Sequence, residues 1–293
     1  YSEIFIIETA ILGKYRANRH RNQHTISAVA KNTASSVSPD SPILLMFKDI
    51  AKRLNERQDR HERLYKLSRD ITIESKRIIF QIHSAVTKDA ITTAVSEAEE
   101  RLYPKPIQGP IKGIALELEN SPAHLHSRAV TAGFQEYIEA RTFCSLMGQN
   151  KIITYPEVQN EFEYKVENDE GEERKVVTML PHLDYFLGLA DLTGELMRRA
   201  INCISSGDSE ECFTLCQLLR DLYTSFIGLI GMGRDLGHKV NTMRQSVTKV
   251  ELAVYALRIR GGEAPPQLLL AGHPQSGPDW DTVGNNSDDE GFY

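Results

Sequence analysis

Two glutamates three residues apart, Glu136 and Glu139, and two further acids four apart, Asp191 and Glu195, interrupt otherwise apolar stretches of this chain. On a helix, spacings of three and four put side chains on one face, so each pair is a same-face pair of carboxylates. Steps of three and four from Glu136 and Glu139 land on Ala132, Phe143 and Leu146, a stripe that would otherwise face a core. Asp191 is the only charge between Tyr185 and Gly194. Burying bare carboxylates costs several kcal/mol for each group, so something must compensate them. Arg141, Arg198 and Arg199 lie within helical reach, and an ion-pair cluster, shared protons or a divalent cation would each answer; spacing alone does not choose. All-oxygen ligation selects a hard ion, Mg²⁺ or Mn²⁺. Such an ion suits phosphodiester hydrolysis, where it activates water and neutralises developing phosphate charge. A di-iron carboxylate bundle needs Glu-x-x-His, whereas the third residue after Glu136 is Glu139 and the third after Glu195 is Arg198, which argues against iron.

Other groups invite a functional and a bland reading side by side. Asp70 and Glu74 are four apart and read as partners in helix-surface ion pairs. Arg69, Lys76 and Arg77 next to them either belong to that surface or steer a nucleic-acid backbone. His124 and His126 lie at the start of the helix of the glutamates and read as cap or surface residues before catalytic ones. Asp184 either supports the acids from behind or favours a helix N-terminus.

The elements that must position these residues are helical. From Ser41-Pro42, an N-cap followed by proline at the first helical position, the apolar period runs through Leu45, Ile50, Leu54, Leu64, Leu67, Ile71, Ile78 and Ile82 without Gly or Pro. One very long helix follows, which must bury its stripe along a bundle or a partner. Further helices are expected over 88–102, 106–119, 122–148, 182–205, 208–230 and 234–259, with Gly207, Gly231, Gly233, Gly261 and Gly262 marking ends. The interruption at 150–180 carries the acidic run Glu167 to Glu173 and reads as an exposed loop, its Phe162–Val166 alternation leaving room for a short strand. The expected fold is all-α: a single bundle of about seven helices spanning 41–262. It is flanked by a disordered tail over 1–40, containing the basic cluster Lys14, Arg16, Arg19, His20 and Arg21, and by a disordered Pro/Gly/Asp-rich tail over 263–293. The basic arm is either solubilising or a nuclear-import or nucleic-acid element.

A chain of 293 residues with 41% hydrophobic and 25% charged residues can bury several paired charges. Its net charge of −6 argues against a nucleic-acid binder driven by its own electrostatics, so a partner or a local patch must supply positive potential. Cys144, Cys203, Cys212 and Cys216 have no zinc or CxxC spacing and read as buried thiols of a reducing compartment. The run Ile4–Ile7 is too short to cross a membrane and lacks the basic region of a signal peptide, and no other span is expected.

The segments 68–77 (SRDITIESKR), 135–140 (QEYIEA), 190–198 (ADLTGELMR), 245–251 (QSVTKVE) and 255–261 (YALRIRG) closely resemble the translin superfamily, on the side of its translin-associated factor X members. The resemblance runs in order from about residue 41 to 262. It implies a seven-helix translin fold and assembly with translin into a hollow hetero-octamer, component 3 promoter of RISC. Within that assembly it implies a Mg²⁺-dependent endoribonuclease for single-stranded RNA, with Mn²⁺ as a substitute ion. Passenger-strand removal in RNA silencing, tRNA-fragment processing, single-stranded and sequence-specific DNA binding, and a cytoplasmic and nuclear location come with the resemblance. The family's catalytic acids map onto Glu136, Glu139, Asp191 and Glu195, the set that translin itself typically lacks in full. A non-catalytic scaffold that stabilises translin and binds nucleic acid is the alternative.

Overall fold

The buried positions of the first helix, Leu64, Ser68, Ile71, Ser75, Ile78 and Ile82, alternate steps of four and three, the spacing that keeps one seam against a partner helix. In a computed structural model describing residues 41–102, 107–119, 125–167 and 171–260, this helix is α1 (Pro42–Ser84), with its buried seam starting only at Leu64. It is followed by α2 (Lys88–Leu102), α3 (Gln108–Leu118), α4 (Ser127–Gln149), α5 (Tyr155–Glu161), β1 (Glu163–Glu167), β2 (Glu173–Val177), α6 (His182–Ser206), α7 (Ser209–Ile227) and α8 (Arg234–Arg260). Contacts divide the chain into two units, up to His61 and from Glu62 onward. In the first, Ile43, Leu45, Met46, Phe47, Ile50 and Leu54 of α1 are all exposed.

In the second unit α4 packs on α6 and α2, and α6 packs in turn on α7 and α8. Phe134, Tyr137 and Phe143 of α4 are wholly buried, and Phe162 lies against Phe134 and Tyr137 with ring centroids 5.9 and 5.3 Å apart. Left-handed residues close two helices: Asn150 (φ 52°) after α4 and Gly207 (φ 85°) after α6. Asp208 then caps α7 by accepting from Glu211 N–H at 3.1 Å.

The all-α expectation holds, with one helix more than the seven expected among the described residues. The interruption at 150–180 is not a simple exposed loop. Thr154 and Glu157 form a capping box that starts α5, and β1 pairs antiparallel with β2 from Glu163–Val177 to Glu167–Glu173. A lone hairpin is marginal in water; this one is tied down by Tyr164 donating to Gln108 Oε1 at 2.5 Å and Thr178 donating to Ile111 O at 2.8 Å. The two tails, the basic cluster and His124 lie outside the described residues. The four cysteines are buried thiols, as expected, and burial pushes Cys144 and Cys203 up to about 12. Among the described residues no helix is long and apolar enough to cross a membrane.

Candidate functional site

Two glycines set how closely the acid-bearing helices approach. A Cβ on Gly188 of α6 would meet Gln135 O of α4 at 2.5 Å and Ile138 Cβ at 2.7 Å. A Cβ on Gly133 of α4 would meet Ser68 Oγ of α1 at 2.7 Å, and Gly133 N–H donates to that hydroxyl at 3.0 Å. Gly133 stands three residues before Glu136 and Gly188 three before Asp191, so each near-backbone contact lies about one helical turn from an acid. Asp184, in the first turn of α6, reinforces the crossing by accepting from Thr131 and from Gln135 Nε2, the latter at 3.0 Å. It is buried, which raises its carboxyl pKa while the two hydrogen bonds oppose the rise. Its place in the first turn of α6 matches the helix N-terminus reading, while its hydrogen bonds go to Thr131 and Gln135 and not to the acids themselves.

The two pairs converge. Glu136, Glu139 and Glu195 line one cavity of about 570 Å³ together with Lys76, Phe80 and His83. Glu139 is pushed up to about 8, first by burial and then by the charges of Glu195, Asp191 and Glu136, with Lys239 opposing. Three of the acids are held by bases. Lys76 Nζ lies 3.0 Å from Glu136 Oε1, Lys239 pairs with Asp191, and Arg198 Nη1 donates to Glu195 Oε2 at 2.9 Å. The same Glu195 oxygen lies 2.6 Å from His83 Nε2. The hydrogen bond that Lys76 donates to Glu136, and that acid's charge, raise the pKa of Lys76. Glu139 alone of the four has no ion pair among the described residues. Phe143 and Leu146 on the glutamates' stripe are buried as expected, whereas Ala132 is exposed.

Among the described residues no group of three or more His, Cys, Asp or Glu is arranged as a ready metal site. The acids turn to bases rather than to a common point. The donor set still fits a hard divalent cation in kind: oxygen ligands, and a carboxyl that burial, and then three neighbouring carboxylates, hold toward its protonated form, where a cation would replace the proton.

Of the arginines considered as partners, only Arg198 pairs with the cluster. Arg141 pairs with Glu161 at 2.8 Å behind α4, and Arg199 with Glu211 at 2.8 Å, because each leaves its helix on a different side. Glu74 bonds Arg101 across to α2 as well as Arg77 at 3.1 Å, so it joins two helices besides decorating a surface. Among Arg69, Lys76 and Arg77, all exposed, only Lys76 lines the acidic cavity. His126 stands at the N-cap position of α4, as the cap reading expects, but its side chain makes no cap hydrogen bond and is buried, so it is not a surface residue. His83, Phe80 and Lys239 were not singled out in the sequence. Helical spacing on α1 did carry a signal for the first two, since Lys76, Phe80 and His83 follow one another at four and three along a face beside the buried seam.

The Translin family profile matches residues 59–261. Translin-associated protein X of Mus musculus is 38% identical over 265 residues, covering 86% of this chain and 90% of that protein. The crystal structure of apo-NeC3PO is 18% identical and covers 74% of this chain and 96% of its own, with a TM-score of 0.53. The structure of an AfC3PO–duplex RNA complex, also 18% identical, covers 74% and 98% with a TM-score of 0.50. The two structures share the fold.

Proposed function

The chain belongs to the translin family, and from that membership and its acidic cluster we propose that it is a Mg²⁺-dependent endoribonuclease subunit cutting single-stranded RNA within a hetero-oligomer with translin. The observation that carries this reading is Glu139, pushed up to about 8 by burial and by the other three acids of the cluster. A fold that gathers four carboxylates and leaves one without a counter-ion is disposed toward a cation.

Glu136, Glu139, Asp191 and Glu195 would hold Mg²⁺, with Mn²⁺ as a substitute. When bound, the ion supplies activation of a water and stabilisation of the leaving oxygen. The remaining work falls to the chain's own groups. His83 and Arg198 fix one oxygen of Glu195 from two directions. Lys76 and Lys239 balance Glu136 and Asp191. Lys76, on the wall of the cavity, would meet a phosphate backbone there once released from Glu136. Lys76, Arg69 and Arg77 lie on the same exposed stretch of α1 and extend that track.

Assembly with translin, in an octamer, is part of the proposal. It is supported by the exposed apolar side chains of α1 between Ile43 and Leu54. The RNA in the AfC3PO complex supports RNA as the ligand class, with single-stranded DNA as a related one. Roles in RNA silencing and tRNA-fragment processing, in cytoplasm and nucleus, follow from the family resemblance.

The ion pairs favour a second reading. With three acids matched to bases and no ready-made metal group among the described residues, the cluster also suits a non-catalytic subunit that stabilises translin and binds nucleic acid. Cleavage of labelled single-stranded RNA by the complex co-expressed with translin separates the two. Glu136→Ala and Asp191→Asn should each abolish Mg²⁺-dependent cutting; variants that cut as fast as the parent leave only the scaffold.

A further inference from the structure

The last turns of α1 place an exposed aromatic ring on the rim of the acidic cavity. Phe80 is 75% exposed, whereas Ile78, Ile79 and Ile82 around it are buried. A single exposed apolar residue needs no explanation; the neighbours of this one supply a reason. Lys76, Phe80 and Ser84 are spaced by four, so they form one stripe of the helix, and all three line the cavity of Glu136, Glu139 and Glu195. Two side chains on the same cavity are cationic and well exposed, Lys76 at 63% and Arg198 at 59%. A flat apolar face beside two exposed cations on one cavity matches the chemistry of a single-stranded nucleic acid, which presents bases and phosphates in alternation.

We infer that Phe80 is a substrate-positioning residue that stacks a nucleobase of the single strand, while Lys76 and Arg198 hold the phosphates on either side of it. The inference rests on the reading of this chain as a nucleic-acid-cutting subunit and adds the determinant that favours single strands, because a base within a duplex has no free face to offer. The charge balance of the cavity agrees with this. Lys76 pairs with Glu136 and Arg198 with Glu195, so two of the cavity's carboxylates are matched by bases and repel an incoming backbone less than bare acids would.

The test uses the full chain in its native oligomer, with Ca²⁺ in place of Mg²⁺ to hold off cleavage, and single-stranded oligoribonucleotides carrying 2-aminopurine at successive positions. Stacking on Phe80 quenches the fluorescence at one or two positions. Phe80→Ala should abolish that quench and weaken binding on the order of 10- to 100-fold, the loss of one base stack, with Phe80→Tyr retaining both. The inference is overturned if Phe80→Ala binds and quenches as the parent does. It is equally overturned if Phe80→Tyr is as weak as Phe80→Ala, or if Phe80→Ala dissociates the oligomer, since the ring then packs on protein. A parent that quenches but never cuts with Mg²⁺ defeats the nuclease reading and leaves the platform standing; one that cuts without any quench does the reverse.

Discussion

His83 Nε2 lies 2.6 Å from Glu195 Oε2 across 112 residues of sequence, with both side chains about nine-tenths buried. The imidazole sits against Phe143, ring centroids 4.8 Å apart, so the end of α1 is locked to α6 through one hydrogen bond whose donor cannot easily turn away.

Replacing His83 should therefore disturb Glu195 before it disturbs the fold. His83→Ala leaves a buried carboxylate without one of its partners and is expected to lower stability by about 1–3 kcal/mol. It should also weaken Mn²⁺ binding severalfold in a calorimetric titration, with His83→Gln, which keeps a donor, recovering much of both. Equal Mn²⁺ affinity in the parent and His83→Ala would remove His83 from the site.

The raised Glu139 pKa makes stability depend on pH in a stated direction. The unfolded carboxyl titrates at its ordinary 4.5 and the folded one at about 8. Between these values the folded state holds a proton that the unfolded state has released. This contribution is complete below the unfolded value and is lost as pH rises through the window toward 8. Without divalent metal, melting temperature should fall across that window by the equivalent of a few kcal/mol. Glu139→Gln, a permanent copy of the protonated form, should flatten the slope. An unchanged slope in Glu139→Gln would show that Glu139 does not carry the proton.

Lys239 opposes the charge of the cluster, because it pairs with Asp191 and lowers the Glu139 pKa. Lys239→Met should accordingly tighten Mn²⁺ binding while weakening RNA binding, two changes of opposite sign in one variant. If Mn²⁺ affinity also falls, Lys239 is holding Asp191 in place and is not competing with the ion.

The glycine crossings predict a contrast between neighbours on one helix. Gly188→Ala drives a Cβ into Gln135 O at 2.5 Å and should cost about 1–3 kcal/mol or more, read by thermal unfolding. Gly194→Ala on the same helix meets nothing within 4 Å and should stabilise by about 0.5–1 kcal/mol. The same sign for both would mean that helix approach at Gly188 is looser than the backbone indicates.

What could be read from the sequence follows the range of the interactions concerned. The pairs Glu136/Glu139 and Asp191/Glu195, and the helices Lys88–Leu102 and Arg234–Arg260, are local matters of period and were legible within a residue or so. That the pairs meet depends on Gly133 and Gly188, whose significance appears only when Ser68 and Gln135 are seen against them. His83 and Lys239 reach their acids from 112 and 48 residues away, beyond any spacing rule. Thr154 and Glu157 have the spacing of a capping box, a local signal that the reading of 150–180 as an exposed loop leaves unused, and the anchors Gln108 and Ile111 lie on another helix. The joint role proposed for the four acids rests on the family resemblance, since spacing left it open between ion pairs and metal.

The most direct test of the central claim is Mn²⁺ binding, followed by electron paramagnetic resonance, in the native oligomer of the parent and of a variant with Glu136→Gln, Glu139→Gln, Asp191→Asn and Glu195→Gln together. The parent should bind Mn²⁺ saturably with an all-oxygen signature, and the folded variant should leave the ion free. Equal binding by the two proteins would contradict a cation site built from these acids.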